Sequence, residues 1–175
     1  MVRTLIIGVG NPLRGDDGIG QVAAQSLLER SGEIVISSEG EKSQGATTAE
    51  ISHSAFAPFE MTAVSVRAVH QLTPELAASF SEHDRVIIID ANAENKAGQI
   101  TVAQVDPATV LPHTLTHHLA PAQLLALARA LYQSNPSLYL VTIGGASFDY
   151  GDEMSPQIAA ALPQVIQIAS DLLEP

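Results

Sequence analysis

The sequence predicts a three-layer α/β/α fold, in which a mostly parallel five-stranded sheet with one antiparallel strand is covered by helices on both faces. Three observations predict it. The runs Thr4 to Val9 and Arg85 to Asp90 are apolar without alternation and rich in β-branched residues, the pattern of strands buried on both faces. Strand-like and helix-like segments alternate along the chain. The length, 175 residues, suits one core and would cramp two. A single α/β domain over residues 1–175 is therefore expected, interrupted by a polar insertion at about 31–61.

Element by element, Thr4 to Val9 is the first central strand. After a Gly-rich turn, Ile19, Val22, Ala23, Leu27 and Leu28 recur at helical spacing and predict a helix over about 17 to 30. From Ser31 to Met61 the chain turns polar, and only Glu33 to Ile36 resembles a strand. Alternating Val64, Val66 and Ala68 predict a strand at about 62 to 69, and His70-Gln71-Leu72 make a turn. Thr73 as N-cap, Pro74 at the first helical position and Glu75 in the first turn then start a short helix. The run Arg85 to Asp90 ends on a carboxylate, and Gln99 to Val105 is the next strand. The stretch Ala91 to Gly98 is too short for a parallel crossover, so these two strands are expected to pair as an antiparallel hairpin at one side of the sheet. His117-His118 precede an apolar helix, Pro121 to Tyr132, with Pro near its start. Leu138 to Ile143 gives a fifth strand. A Gly/Asp-rich loop follows, and Ser155-Pro156 start a last helix with Ile158, Leu162, Val165, Ile166, Ala169 and Leu172 on one stripe.

Composition excludes several function classes. Eight Lys and Arg against nineteen Asp and Glu give a formal charge of -11, a field that repels nucleic-acid phosphates and anionic membrane surfaces. The absence of cysteine removes disulfides, thiolate nucleophiles and thiolate metal sites, so any metal must sit on His and carboxylate. The longest apolar runs are strand-sized, which argues against a membrane helix. Met1-Val2-Arg3 leads straight into a strand instead of a signal-peptide core, and a cytoplasmic protein is expected.

The segment Gly8-Val9-Gly10-Asn11-Pro12-Leu13-Arg14-Gly15-Asp16-Asp17-Gly18-Ile19-Gly20 lies between a strand and a helix, where a dinucleotide fingerprint would stand. Leu13 occupies the place of the third glycine, and two acids sit where a pyrophosphate would need the helix N-terminus. Asp16 and Asp17 either cap the helix or carry chemistry. Asp90 closes a strand on the edge where α/β sheets bind ligands, unless it serves an Asx turn. His117 and His118 can reach the same edge through the extended residues before them. Two carboxylates and an imidazole there make an N/O site suited to nickel, zinc or manganese, with coordination positions left open. No Ser elbow and no H-E-x-x-H helix is present.

Together, Gly8-Val9-Gly10-Asn11 through Gly15-Asp16-Asp17-Gly18-Ile19-Gly20, Ile88-Ile89-Asp90-Ala91 and Thr116-His117-His118-Leu119 resemble the [NiFe] hydrogenase maturation endopeptidases. The resemblance spans most of the chain except about 31 to 61. It implies that Asp17, Asp90 and His117 bind nickel and carry catalysis; Gln71, beyond a strand end, and His118 are candidates for substrate contacts. The family's first ligand is often Glu; Asp17 is one methylene shorter, and Asp16 beside it competes for the role. The nickel is expected to be carried by the substrate, the immature hydrogenase large-subunit precursor, from which a C-terminal peptide is removed. The rival readings are a non-catalytic, nickel-dependent binding module or assembly chaperone with the same ligands, and a small-nucleotide binder using Gly8 to Gly20.

Overall fold

The computed structural model describes residues 2–31, 63–106, 119–151 and 153–174. Strand β1 (Arg3–Val9) lies inside the sheet: Ile6 belongs to one apolar core, Leu5 and Ile7 to a second, and none of the three is exposed. Burial on both faces is why its sequence runs apolar without a break. A 3-10 turn at Gly15–Gly18 leads into α1 (Ile19–Ser31), and the chain continues through β2 (Ala63–Val69), α2 (Leu76–Ser81) and β3 (Arg85–Asn92). It ends with β4 (Ile100–Val105), α3 (Pro121–Tyr132), β5 (Ser137–Gly144) and α4 (Pro156–Asp171). The strand order is β2-β1-β3-β5-β4, parallel except that β4 runs antiparallel to β5. Helices α1 and α4 cover the face that carries Ile6, Ile87, Ile89 and Val141, whereas α2 and α3 cover Leu5, Ile7, Val86 and Ile88. The sheet, its composition and its three layers are those expected. The polar insertion at about 31–61, with its strand-like Glu33 to Ile36, lies outside the described residues apart from Ser31 at the end of α1.

The expected hairpin of β3 with β4 is wrong in its partner. Strand β5 lies between them: Asp90 pairs with Thr142, and Thr142 with Thr101 on the far side. The short connection fixes the direction of β4 but not its neighbour. Leu138, Val141 and Ile143 of β5 are fully buried, each worth about 1.5–3 kcal/mol, while no residue of β4 is buried and Val102 is 46% exposed. The more apolar strand takes the inner place. Residues 93–99 therefore cross the end of β5 rather than turning back at once. Gly144 permits the crossing, because a Cβ there would stand 2.1 Å from the Lys96 carbonyl oxygen. The Gly98 N–H donates to the Gly144 carbonyl at 2.7 Å, and the Gly144 N–H to that of Gln99 at 2.9 Å.

Two element ends also differ from expectation. Helix α2 begins at Leu76 with Glu75 as its N-cap, because Thr73 and Pro74 form a preceding turn in which their carbonyls accept from Leu76 and Ala77 at 3.1 Å. Strand β3 runs to Asn92, two residues past Asp90. The stripe on α4 is as expected: Ile158, Val165, Ile166 and Ala169 are buried, with Leu162 and Leu172 packed beside them. Helix α3 is joined to β5 by only residues 133–136, so it runs antiparallel to β5 and starts on the edge where β5 ends. Its first turn is closed by the Ala120 N–H, which donates to Gln123 Oε1 at 2.9 Å.

Candidate active site at the switch of strand order

The chain leaves β1 toward β2 on one side and continues from β3 toward β5 on the other, so the order of connection reverses between β1 and β3. In open α/β sheets ligands bind outside the carboxyl ends of the strands at this point. Close packing of glycines brings the Asp17 turn there. A Cβ on Gly20 would stand 2.3 Å from the Val9 carbonyl oxygen and 2.4 Å from that of Ile89, and one on Gly8 2.2 Å from the Gly20 oxygen. The first turn of α1 thus rests on the ends of both β1 and β3, next to Asp90. Gly20→Ala is expected to lift the helix from two backbone oxygens that cannot retreat, costing about 3 kcal/mol in urea unfolding. Gly151→Ala, where nothing lies within 4 Å, stays within about 0.5 kcal/mol.

The two adjacent acids have different work. Asp16 is fully buried, and both its oxygens are taken by the loop between β5 and α4. Its Oδ2 accepts the N–H groups of Ala146 at 2.7 Å and Ser147 at 2.9 Å and the Ser155 hydroxyl at 2.9 Å; its Oδ1 accepts the Ser155 N–H at 2.7 Å. Burial pushes the Asp16 carboxyl up, but the bonds from Ser155, Ser147 and Ala146 outweigh it and hold the pKa below its ordinary value. Asp16 is a latch and has no oxygen to spare for a metal. Asp17 is half-buried in the same turn, and among the described residues only its Oδ2 is used, accepting the Asn11 N–H at 2.7 Å. Neither acid caps the helix in the simple way; each holds a different loop. Gly10 makes room for this packing: it stands at φ +129°, and a Cβ there would lie 1.8 Å from the Asp17 carbonyl oxygen.

Asp90 is half-buried at the upper end of β3, in register with Thr142 of β5. Two residues on, Asn92 makes an Asx turn of its own: its Oδ1 accepts the N–H groups of Glu94 at 2.5 Å and Asn95 at 3.2 Å. Gln71 is exposed two residues beyond β2, whose last residue, Val69, is paired with Val9 at the same edge. His117 and His118 lie outside the described residues; the chain that carries them leads into α3, which starts on the edge holding Asp90. Among the described residues no three His, Asp or Glu side chains are grouped to hold a metal ion. The structure therefore places Asp17 and Asp90 at one rim and Asp16 beneath it, bonded to Ala146, Ser147 and Ser155.

No family model matches the chain, and no curated protein matches it. Solved structures do. One is the hydrogenase maturating endopeptidase HybD from E. coli, at 20% identity and a TM-score of 0.67, covering 98% of this chain and 91% of that one. Another is the [NiFe] hydrogenase maturation protease HycI from Thermococcus kodakarensis, at 18% identity and 0.67, covering 98% and 92%. A third, HybD from the same organism, stands at 21% identity and 0.60, covering 98% and 99%. The chain has the fold of these hydrogenase maturation proteases.

Within that fold, seven amides of the Gly8 to Gly20 turn are engaged inside the protein. The N–H groups of Gly10, Arg14, Gly15, Asp16 and Asp17 donate to Val69, Asn11, Gly151, Ser147 and Arg14 carbonyls, and those of Asn11 and Leu13 to the side chains of Asp17 and Asn11. An anion cradle needs such amides unspent, and these seven are taken. Sequence reasoning missed two residues. Gln21 donates Nε2 to the Gly10 carbonyl at 2.6 Å and to that of Val69 at 3.1 Å, tying the ends of β1 and β2 together. Its place four residues after Asp17, on the same helical side, was the available signal. Ser155, read only as a cap, turns its hydroxyl to Asp16 instead.

Proposed function

We propose that this chain is an endopeptidase that removes the C-terminal peptide from the nickel-loaded large-subunit precursor of a [NiFe] hydrogenase. The single observation that supports it best is the division of labour in Asp16-Asp17. One carboxylate is consumed by structure, leaving the other at the strand-order switch beside Asp90, in the fold of solved maturation proteases. Asp17, Asp90 and His117 then supply oxygen and nitrogen donors to nickel that is part of the substrate. These donors suit a borderline metal and leave room for the substrate's own ligands. Holding the substrate by its metal fixes the scissile bond relative to the protein, and that positioning is a rate factor in itself. Water attacks the peptide carbonyl while the site's carboxylates orient it or take its proton. Gln71 and His118 are the candidates for contact with the substrate chain.

The test is direct. Incubated with nickel-loaded precursor, the protein is expected to yield a large subunit shortened at its C-terminus, read by intact mass, whereas nickel-free precursor stays whole. Cleavage of both forms sinks the metal-docking account. Tight binding of the nickel-loaded form without shortening favours a non-catalytic nickel-dependent chaperone.

A further inference from the structure

Beside Asp17 the chain builds a second structure that the site chemistry does not use. Segments 13–15 and 149–151 run side by side, bridged at Arg14 and Gly151. The Gly15 N–H donates to the Gly151 carbonyl at 2.7 Å, the Gly151 N–H to that of Leu13 at 3.0 Å, and Arg14 Nε to that of Phe148 at 3.3 Å. From beneath, Asp16 fastens Ala146, Ser147 and Ser155. On this fixed ledge sit two large apolar side chains in the open, Leu13 at 60% and Tyr150 at 89% exposure. A buried carboxylate and a double set of backbone bonds hold in place a loop whose outermost residue is an aromatic facing solvent. Aromatic anchors on preorganised surfaces are what binding sites use.

We propose that this ledge docks an extended stretch of the substrate polypeptide, basic and apolar in character, next to its metal; the inference rests on the reading under Proposed function. Charge argues for that occupant. Asp149 and Glu153 are exposed on the loop, Asp17 and Asp90 lie close by, and Arg14, partly engaged by Phe148, is the ledge's cation. A second copy of this chain, itself at -11, would be repelled from such a surface, whereas a basic segment is attracted. Leu13 and Tyr150 then supply the apolar contact, and the open space above Gly151 lets a backbone approach.

The test measures the affinity of labelled, nickel-loaded precursor by fluorescence anisotropy and scores the same samples for shortened product by mass. Leu13→Ser with Tyr150→Ser is expected to weaken binding about tenfold. Asp149→Asn with Glu153→Gln is expected to weaken it about threefold at low salt and to flatten its salt dependence. Tyr132→Ser, an exposed aromatic at the far end of α3, serves as control and leaves binding unchanged. Unchanged affinity in the Leu13/Tyr150 variant, or equal loss in the control, overturns the proposal. Shortened product with wild-type-like binding by that variant defeats the ledge alone. Ledge-dependent binding without product supports the ledge and defeats the peptidase reading.

Discussion

Asp17→Ala and Asp90→Ala each lose about a thousandfold in the rate of precursor cleavage, equivalent to about 4 kcal/mol of transition-state stabilisation. The magnitude follows from their place. Each would supply one of the few protein donors to the substrate's metal, and loss of one both weakens docking and lets the scissile bond wander. Stability tells the two roles apart. Asp17 accepts one backbone N–H, so its removal costs about 1 kcal/mol and the variant melts close to wild type. Single-turnover cleavage beside a thermal melt measures both. Full activity in either variant removes that carboxylate from the site.

Asp16→Asn behaves in the opposite way. The amide keeps the shape but points an N–H₂ at groups that are themselves donors: the N–H groups of Ala146, Ser147 and Ser155 and the Ser155 hydroxyl. Leaving such donors unmatched at a fully buried residue costs about 3 kcal/mol, or roughly 10 °C in melting temperature for a chain of this size. The pH dependence has a definite sign. The folded pKa of Asp16 lies below the ordinary value of 3.8, so its ionised form contributes stability above that value, and the contribution is lost as pH falls through the folded pKa. Acid unfolding of the wild type therefore includes a term from Asp16 that the Asn variant lacks, and the variant's stability falls less steeply below pH 3.8. Parallel acid limbs in the two proteins would remove the latch from the account of stability.

Much of the fold was legible because burial writes directly into pattern. Strands β1 and β3 are apolar throughout, since both faces are covered, and α4 shows a stripe because one side meets the sheet. What was not legible is what depends on partners remote in the chain. The count of residues between β3 and β4 gave direction, but which strand lies beside which was decided by the greater burial of β5, a comparison across the whole sheet. The first motif favoured Asp17 but left Asp16 beside it as a competitor. Their difference resides in Ala146, Ser147 and Ser155, some 130 residues onward, where no local rule points. That Asp90 closes a buried strand was legible from a carboxylate ending an apolar run, whereas the Asx turn of Asn92 two residues on was not foreseen.

The passage of residues 93–99 across the end of β5 has a consequence for the rim. That flank is roofed by main chain, with the Lys96 carbonyl oxygen lying directly over Gly144, whereas the β1 flank is bordered by the thin glycine turn at Gly8 and Gly10. Among the described residues the rim is therefore lopsided, covered by backbone at β5 and edged by glycine at β1.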